Sequence, residues 1–149
     1  CIRDREQFEK MIARDEVLEH AEFCGNYYGT PRDAVEAMRN EGKNVILEIE
    51  VQGAQQVMQK CPDAVSIFIA PPSMTELEKR LRGRGTEAEA VIQKRLATAS
   101  GELKDAPNYK YLVVNDQVET AAQEILTILA AEQIHQINKE EKVKEVLES

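Results

Sequence analysis

The 149-residue sequence has no tryptophan, few aromatic residues and only three cysteines. The cysteines, Cys1, Cys24 and Cys61, show no CxxC spacing, and neither His20 nor His135 lies near two of them along the chain. The cysteines therefore do not have the spacing of a zinc site, and we expect reduced thiols and no metal bound by cysteine.

Long apolar runs and an excess of positive charge are absent as well. No stretch approaches the roughly 18–20 apolar residues that a membrane-spanning helix needs, and the first residues do not read as a signal peptide. Acidic residues outnumber basic ones by 27 to 19, which gives a formal net charge of -8 at pH 7. This charge opposes general binding to nucleic acid or to an anionic membrane, so a bound anion needs a local basic cluster. We expect a cytoplasmic protein.

Apolar, β-rich runs alternate with helical patterns in the larger part of the chain. Buried strands are expected at residues 45–51, 65–70 and 111–115. Capping boxes at residues 73–76 and 86–89 each predict a helix, and a long amphipathic helix should follow residues 116–119. This alternation is typical of an α/β domain with a largely parallel sheet.

The first part of the chain is less regular. The string DREQ at residues 4–7 is expected to start a short helix that has Phe8, Met11 and Ile12 on its inner face. Thr30 is expected to be the N-cap of a second helix, with Pro31 at its first position. Residues 18–28 lack a clean period and admit two short strands.

Two carboxylates, Glu48 and Glu50, lie at positions i and i+2 of the expected strand at residues 45–51. They would share one face near its C-terminal end. Because ligands of parallel sheets bind beyond the carboxyl ends of the strands, we expect this pair to contact a ligand. The alternative is a pair of buried acids held by neighbouring backbone groups.

A basic cluster stands out in this acidic sequence. It comprises Lys79, Arg80, Arg82, Arg84 and Arg95. Arg80 and Arg84 are four residues apart and share a helix face, while Gly83 and Gly85 interrupt the helix around them. Such a segment can close over a ligand, and its guanidinium groups can neutralise a transferring phosphoryl group. The alternative is a solvated helix face whose charges pair with nearby glutamates.

Glycines bracket two tyrosines in the string GNYYGT at residues 25–30. A tyrosine hydroxyl and a helix N-terminus are both donors that suit a phosphate monoester. Alternatively, one of Tyr27 and Tyr28 packs in a core and Thr30 is only a cap.

The motifs follow one order along the chain: Glu19, GNYYGT at 25–30, LEIEVQG at 47–53, RLRGRGT at 80–86, Arg95 and VND at 114–116. In this order and spacing they resemble bacterial guanylate kinases. The resemblance implies an α/β, P-loop-type nucleoside monophosphate kinase fold with a parallel sheet core, a GMP-binding lobe and a helical lid. It also implies phosphoryl transfer from ATP, with Mg²⁺, to GMP, giving ADP and GDP.

The resemblance assigns roles to five residues of the GMP site. Glu19 would accept hydrogen bonds from N1–H and the 2-amino group of guanine, Tyr28 would donate to the GMP phosphate, and Thr30 would lie near the base. Glu50 would lie beside guanine, with Glu48 close to the reaction centre. Some family members carry aspartate at these last two positions.

The resemblance assigns the remaining site residues to the lid and to ATP. Arg80, Arg84 and Arg95 would be catalytic lid arginines around the phosphoryl groups. Arg84 would also contact ATP, and Asn115 would contact its adenine.

The implied layout has four segments. Residues 1–44 would be part of the GMP-binding lobe, 45–72 core strands and a helix, 73–104 the lid with its flanking helices, and 105–149 a core strand and the C-terminal helix. Family members begin with a P-loop unit, but the sequence contains no GxxxxGK[ST] motif. We therefore expect the first P-loop unit to be missing and the chain as printed to be inactive with ATP.

Two other functions remain open. One is a non-catalytic guanylate-kinase-like scaffold that binds peptides, which a P-loop encoded upstream of Cys1 would argue against. The other is a kinase for a different monophosphate, for which AMP or UMP would outcompete GMP. The sequence leaves the oligomeric state open, a homo-oligomer included.

Overall fold

The computed structural model describes residues 4–23, 26–85, 87–135 and 139–148. The predicted capping role of Thr86 and the thiols of Cys1 and Cys24 lie outside these residues, whereas Cys61 is a free thiol. The chain divides into two compact units, Cys1–Ala64 and Val65–Ser149. Each unit has its own paired strands.

The first unit consists of a hairpin and three helices. In chain order these are α1 (Arg5–Ala13), β1 (Val17–Phe23), β2 (Asn26–Pro31), α2 (Arg32–Asn40) and α3 (Val51–Lys60). The two strands are antiparallel, with Glu19 opposite Thr30. They confirm that residues 18–28 hold strands. The start of α1 is also as predicted, and there the Asp4 carboxylate accepts a hydrogen bond from the Gln7 amide at 2.8 Å.

The predicted strand at residues 45–51 is wrong. Residues 43–50 have no regular secondary structure, and α3 begins at Val51 with Glu50 as its N-cap. A strand needs a hydrogen-bonded neighbour, and no strand in the described ranges pairs with this segment. The alternation on which the prediction relied is present, because Glu48 and Glu50 are exposed and the apolar residue between them is half-buried.

The predicted cap of α2 is wrong by one residue. Pairing with β1 continues through Pro31, which has extended backbone angles and is itself the N-cap, so the helix begins at Arg32. The Thr30 hydroxyl therefore lies within the hairpin rather than at the helix end, and it donates its hydrogen bond to Glu19.

The second unit alternates strands and helices. In chain order it contains β3 (Ile67–Ala70), α4 (Met74–Gly83), α5 (Glu89–Glu102), a 3₁₀ helix (Leu103–Asn108), β4 (Tyr111–Val114), α6 (Val118–His135) and α7 (Lys139–Glu148). β3 and β4 pair in parallel, as predicted. Phe68 and Val113 are buried in this pair.

Hydrogen bonds fix two helices of this unit. The Ser73 hydroxyl caps α4 by accepting from the Glu76 amide at 3.0 Å, as the capping box predicts. On α6 the carboxylate of Glu132, which is 7% exposed, accepts from Lys110 Nζ at 2.7 Å and from the Tyr111 hydroxyl. Helices long and apolar enough to span a membrane are not found in the part of the chain that the structure describes.

Candidate functional site

A buried carboxylate lies in the hairpin of the first unit. Glu19 on β1 is only 5% exposed, and its Oε1 accepts a hydrogen bond from the Thr30 hydroxyl at 2.7 Å. No lysine or arginine among the described residues forms an ion pair with it. Burying a carboxylate without a cation is costly, so Glu19 is a candidate for binding a ligand.

The first turn of α3 lies against the same carboxylate. A Cβ atom added at Gly53 would be 2.7 Å from Glu19 Oε2, closer than real Cβ contacts allow. The N-terminal end of a helix carries partial positive charge, which favours a carboxylate beside it. The side chain of the N-cap residue, Glu50, makes no capping hydrogen bond to this turn.

Two polar side chains on one face of α3 hold the helix to β1. Gln56 Nε2 donates to the carbonyl oxygen of His20 at 2.8 Å, and Gln56 Oε1 accepts from the His20 amide at 3.2 Å. One turn later, Lys60 Nζ donates to the carbonyl oxygen of Val17 at 2.9 Å. Neither residue was expected from the sequence, where the only signal is their spacing of four on a helix that also contains Gly53.

The two tyrosines of β2 have different environments. Tyr27 stacks on Phe8 with ring centroids 5.7 Å apart, and the Arg5 guanidinium lies 4.8 Å from its ring centroid. The side chain of Tyr28 makes no hydrogen bond or ring contact with another described residue, and the residue is 56% exposed. The packing alternative therefore applies to Tyr27, and the Tyr28 hydroxyl is available to a ligand.

Glu48 and Glu50 lie on the segment that leads into α3. Both are exposed, so the alternative that they are buried acids is wrong. Neither side chain forms a hydrogen bond or ion pair with another residue that the structure describes. As the N-cap of α3, Glu50 lies at the helix end that contacts Glu19.

In the second unit, Arg80 on α4 is tied to the residues that follow β4. Its guanidinium donates to the carbonyl oxygens of Asn115 and Asp116 at 2.7 Å and 3.1 Å. Its Nε donates to Glu76 Oε1 at 3.1 Å, and this hydrogen bond is the main reason that the pKa of Glu76 is below its ordinary value. The side-chain oxygen of Asn115 is buried and has no donor among the described residues. An acceptor thus remains available there.

The other two predicted lid arginines differ in their partners. Arg84 is exposed in the turn after α4, which ends at Gly83 as predicted. Gly85 follows with a φ of 65°, a conformation that favours glycine. Arg95 on α5 forms an ion pair with Glu87 at 2.8 Å. Arg84 is the one whose side chain has no hydrogen bond or ion pair within the described ranges.

The solvated-face alternative applies to Arg82. Its guanidinium donates to Glu89 Oε1 at 2.7 Å and to Glu78 Oε1 at 2.9 Å. The hydrogen bonds from Arg82 lower the pKa of Glu89 to about 2. Arg82 is therefore engaged by neighbouring glutamates, whereas Arg84 two residues later is not.

The described residues contain no group of three or more His, Cys, Asp or Glu side chains that could hold a metal ion.

Comparisons with known proteins agree with one another. A family model described as Guanylate kinase matches residues 2–132. The chain is 56% identical over 131 residues to a guanylate kinase of Desulfitobacterium hafniense (strain Y51), covering 88% of this chain and 66% of the relative. It is 51% identical over 131 residues to a guanylate kinase of Escherichia coli (strain K12), covering 88% of this chain and 63% of the relative.

A solved structure matches as well. It is the crystal structure of guanylate kinase from Anaplasma phagocytophilum, with a TM-score of 0.71 and 38% sequence identity over 89% of this chain and 64% of that chain. This likeness confirms the predicted α/β fold class. The chain spans slightly less than two thirds of the length of these relatives.

Proposed function

Because the chain belongs to the guanylate kinase family, we propose that the complete gene product transfers the terminal phosphoryl group of ATP to GMP. The observation that carries the proposal is the Glu19 carboxylate. It is buried, held by Thr30, and without a cationic partner among the described residues. Such a group suits a ligand that brings neutral donors.

Guanine offers the donors that this carboxylate needs. Its N1–H and its 2-amino group lie side by side and match the two oxygens of Glu19. Although Oε1 already accepts from Thr30, each carboxylate oxygen has a further lone pair. Adenine has an unprotonated N1 and no 2-amino group, so it would leave the carboxylate unpaired. Sites of this kind reject the analogue by a factor of roughly 10⁴–10⁵.

The exposed groups of the first unit suit the rest of the nucleotide. In the proposal the Tyr28 hydroxyl donates to the GMP phosphate, which is supported by its exposure and its lack of a described partner. Glu50 lies beside guanine, and Glu48 lies close to the reaction centre. Their exposure at the start of α3 supports these two roles.

The second unit would act on ATP. The buried acceptor of Asn115 suits the 6-amino group of adenine. Residues 73–104 would form the lid with its flanking helices, from which Arg80, Arg84 and Arg95 neutralise the phosphoryl charge. The free side chain of Arg84 and the glycines around it support this role most strongly.

In this proposal the GMP phosphate attacks the γ-phosphorus of the magnesium complex of ATP in line, and ADP leaves without a covalent enzyme intermediate. The protein contributes positioning and charge neutralisation. Lid closure would exclude water and limit ATP hydrolysis. We propose that the reaction takes place in the cytoplasm, where these nucleotides are used.

The proposal is tested by measuring ADP formation by the complete gene product with GMP, AMP or UMP as acceptor. We expect GMP to be strongly preferred. Comparable turnover with AMP or UMP, or peptide binding without turnover, would exclude a guanylate kinase. The 149-residue chain is the negative control, because its sequence contains no P-loop to hold the ATP phosphates.

A further inference from the structure

We propose that Gly53 is a positioning residue for guanine selection, because the space left by its missing side chain is where the Glu19 carboxylate lies. This inference rests on the proposed GMP site. It adds a residue that does not touch the nucleotide but decides where the selecting carboxylate is held.

The carboxylate is confined on two sides. Oε1 accepts the hydrogen bond from the Thr30 hydroxyl at 2.7 Å. On the other side, a Cβ atom at Gly53 would be 2.7 Å from Oε2, 3.3 Å from Cδ and 3.4 Å from Cγ of Glu19. Any side chain at position 53 would therefore displace the carboxylate from its present position.

Helix geometry does not explain a glycine at this position. Gly53 is not among the described glycines with positive φ, and a glycine inside a helix is less favourable than alanine by about 0.5–1 kcal/mol. Moving the helix would not relieve the clash cheaply, because Gln56 and Lys60 tie α3 to β1. The end of the Glu19 side chain is the part that must give way.

Gly29 shows what a structural glycine looks like in the same unit. A Cβ atom there would be 2.6 Å from the carbonyl oxygen of Glu19 and 2.8 Å from the Phe8 ring. Backbone cannot swing aside as the end of a side chain can. We therefore expect Gly29→Ala to impair folding, whereas Gly53→Ala should stay folded and select guanine less strongly.

The first measurement is the affinity of the 149-residue chain and its Gly53→Ala variant for GMP and for AMP, by calorimetry. We expect the GMP affinity to fall by about tenfold or more, the scale of a hydrogen bond to a charged group. AMP should remain a weak ligand of both proteins, because it makes no hydrogen bond to the carboxylate. A general loss of structure would instead appear as a lower stability. Urea unfolding of both proteins shows whether the variant is folded.

The matched control is Gly101→Ala. Gly101 also lies in a helix, α5, and a Cβ atom there would meet nothing within 4 Å. We expect this variant to keep the ratio of GMP to AMP affinity unchanged. A changed ratio in the control would mean that any helical glycine affects binding, which would overturn the inference.

A double-mutant cycle identifies the route of the effect. In a Glu19→Ala background the side chain that Gly53→Ala displaces is gone, so adding Gly53→Ala should leave the GMP affinity unchanged. An equal loss in both backgrounds, or no loss in the wild-type background, would overturn the positioning role of Gly53 alone. A wild-type chain that binds AMP as well as GMP would instead remove the proposed function.

Discussion

The hydrogen bond that Thr30 donates to the buried Glu19 carboxylate can be removed with little change in the shape of the side chain. Its hydroxyl donates to Glu19 Oε1 at 2.7 Å, and Glu19 is 5% exposed. Thr30→Val removes this donor and keeps the branched side chain. A hydrogen bond to a charged group contributes about 1.5–3 kcal/mol to stability. Thr30 is half-buried, so we expect a loss of about 2 kcal/mol, which corresponds to about 30-fold in the unfolding equilibrium.

Urea unfolding of the 149-residue chain measures this loss, with Thr30→Ser as the control. Serine keeps the hydroxyl and loses one methyl group, which is worth about 0.8 kcal/mol. Thr30→Val should therefore be the less stable of the two variants. It should also bind GMP more weakly than Thr30→Ser does, because Glu19 is then free to change its orientation.

The reasoning would be refuted if Thr30→Val were as stable as the wild type and bound GMP as tightly as the wild type does. The Thr30 hydroxyl would then contribute nothing to holding Glu19. A loss in Thr30→Ser as large as that in Thr30→Val would also contradict it, since removing the methyl group would then cost as much as removing the hydroxyl.

Three further predictions concern charged groups. In the complete gene product Arg84→Ala should lower kcat far more than it weakens GMP binding, and unchanged turnover would remove Arg84 from the mechanism. Arg80→Met should destabilise the protein by about 1–2 kcal/mol in urea unfolding, because it removes the charged hydrogen bond to the carbonyl oxygen of Asn115. It should also raise the KM for ATP. An unaltered stability would contradict this prediction. The hydrogen bond from Lys60 holds the pKa of Asp15 below its ordinary 3.8, so this carboxylate stabilises the fold above that pH and less as the pH falls through its lowered pKa. The stability advantage of the wild type over Asp15→Asn should therefore shrink in unfolding measurements below about pH 4, and an advantage independent of pH would argue against it.

Local sequence patterns correctly predicted the starts of α1 and α4 and the strands β3 and β4. The start of α1 after Asp4 and the cap of α4 at Ser73 follow from the order of side chains within one turn, and both are present. The strands β3 and β4 follow from short apolar runs between helical patterns. Their parallel pairing follows from the helices that separate them along the chain.

At two places the sequence pattern did not show where strand pairing occurs. Residues 45–51 have the composition and alternation of a strand, but β-propensity describes how side chains fit a sheet and does not supply a partner. Thr30 has the composition of an N-cap, but pairing with Val17 carries the strand one residue further, to Pro31. At Thr30 a pairing distant in sequence overrode the local pattern, whereas residues 45–51 have no paired neighbour in the described ranges.

The sequence named residues of the candidate site, which stay a prediction, but not the contacts that hold them. Glu19 and Thr30 were named from the motifs, and the structure brings them into contact. The roles of Gly53 and Gln56 depend on how closely α3 approaches β1, which no local pattern encodes. The resemblance drawn from the motif order was confirmed by the family match over residues 2–132.

The most direct measurement is a calorimetric titration of the 149-residue chain and of its Glu19→Gln variant with GMP and with AMP. The account predicts that the wild type binds GMP in strong preference to AMP and that the variant loses most of this preference. Equal affinity of the wild type for the two nucleotides, or an unchanged preference in Glu19→Gln, would contradict the claim that this buried carboxylate selects guanine.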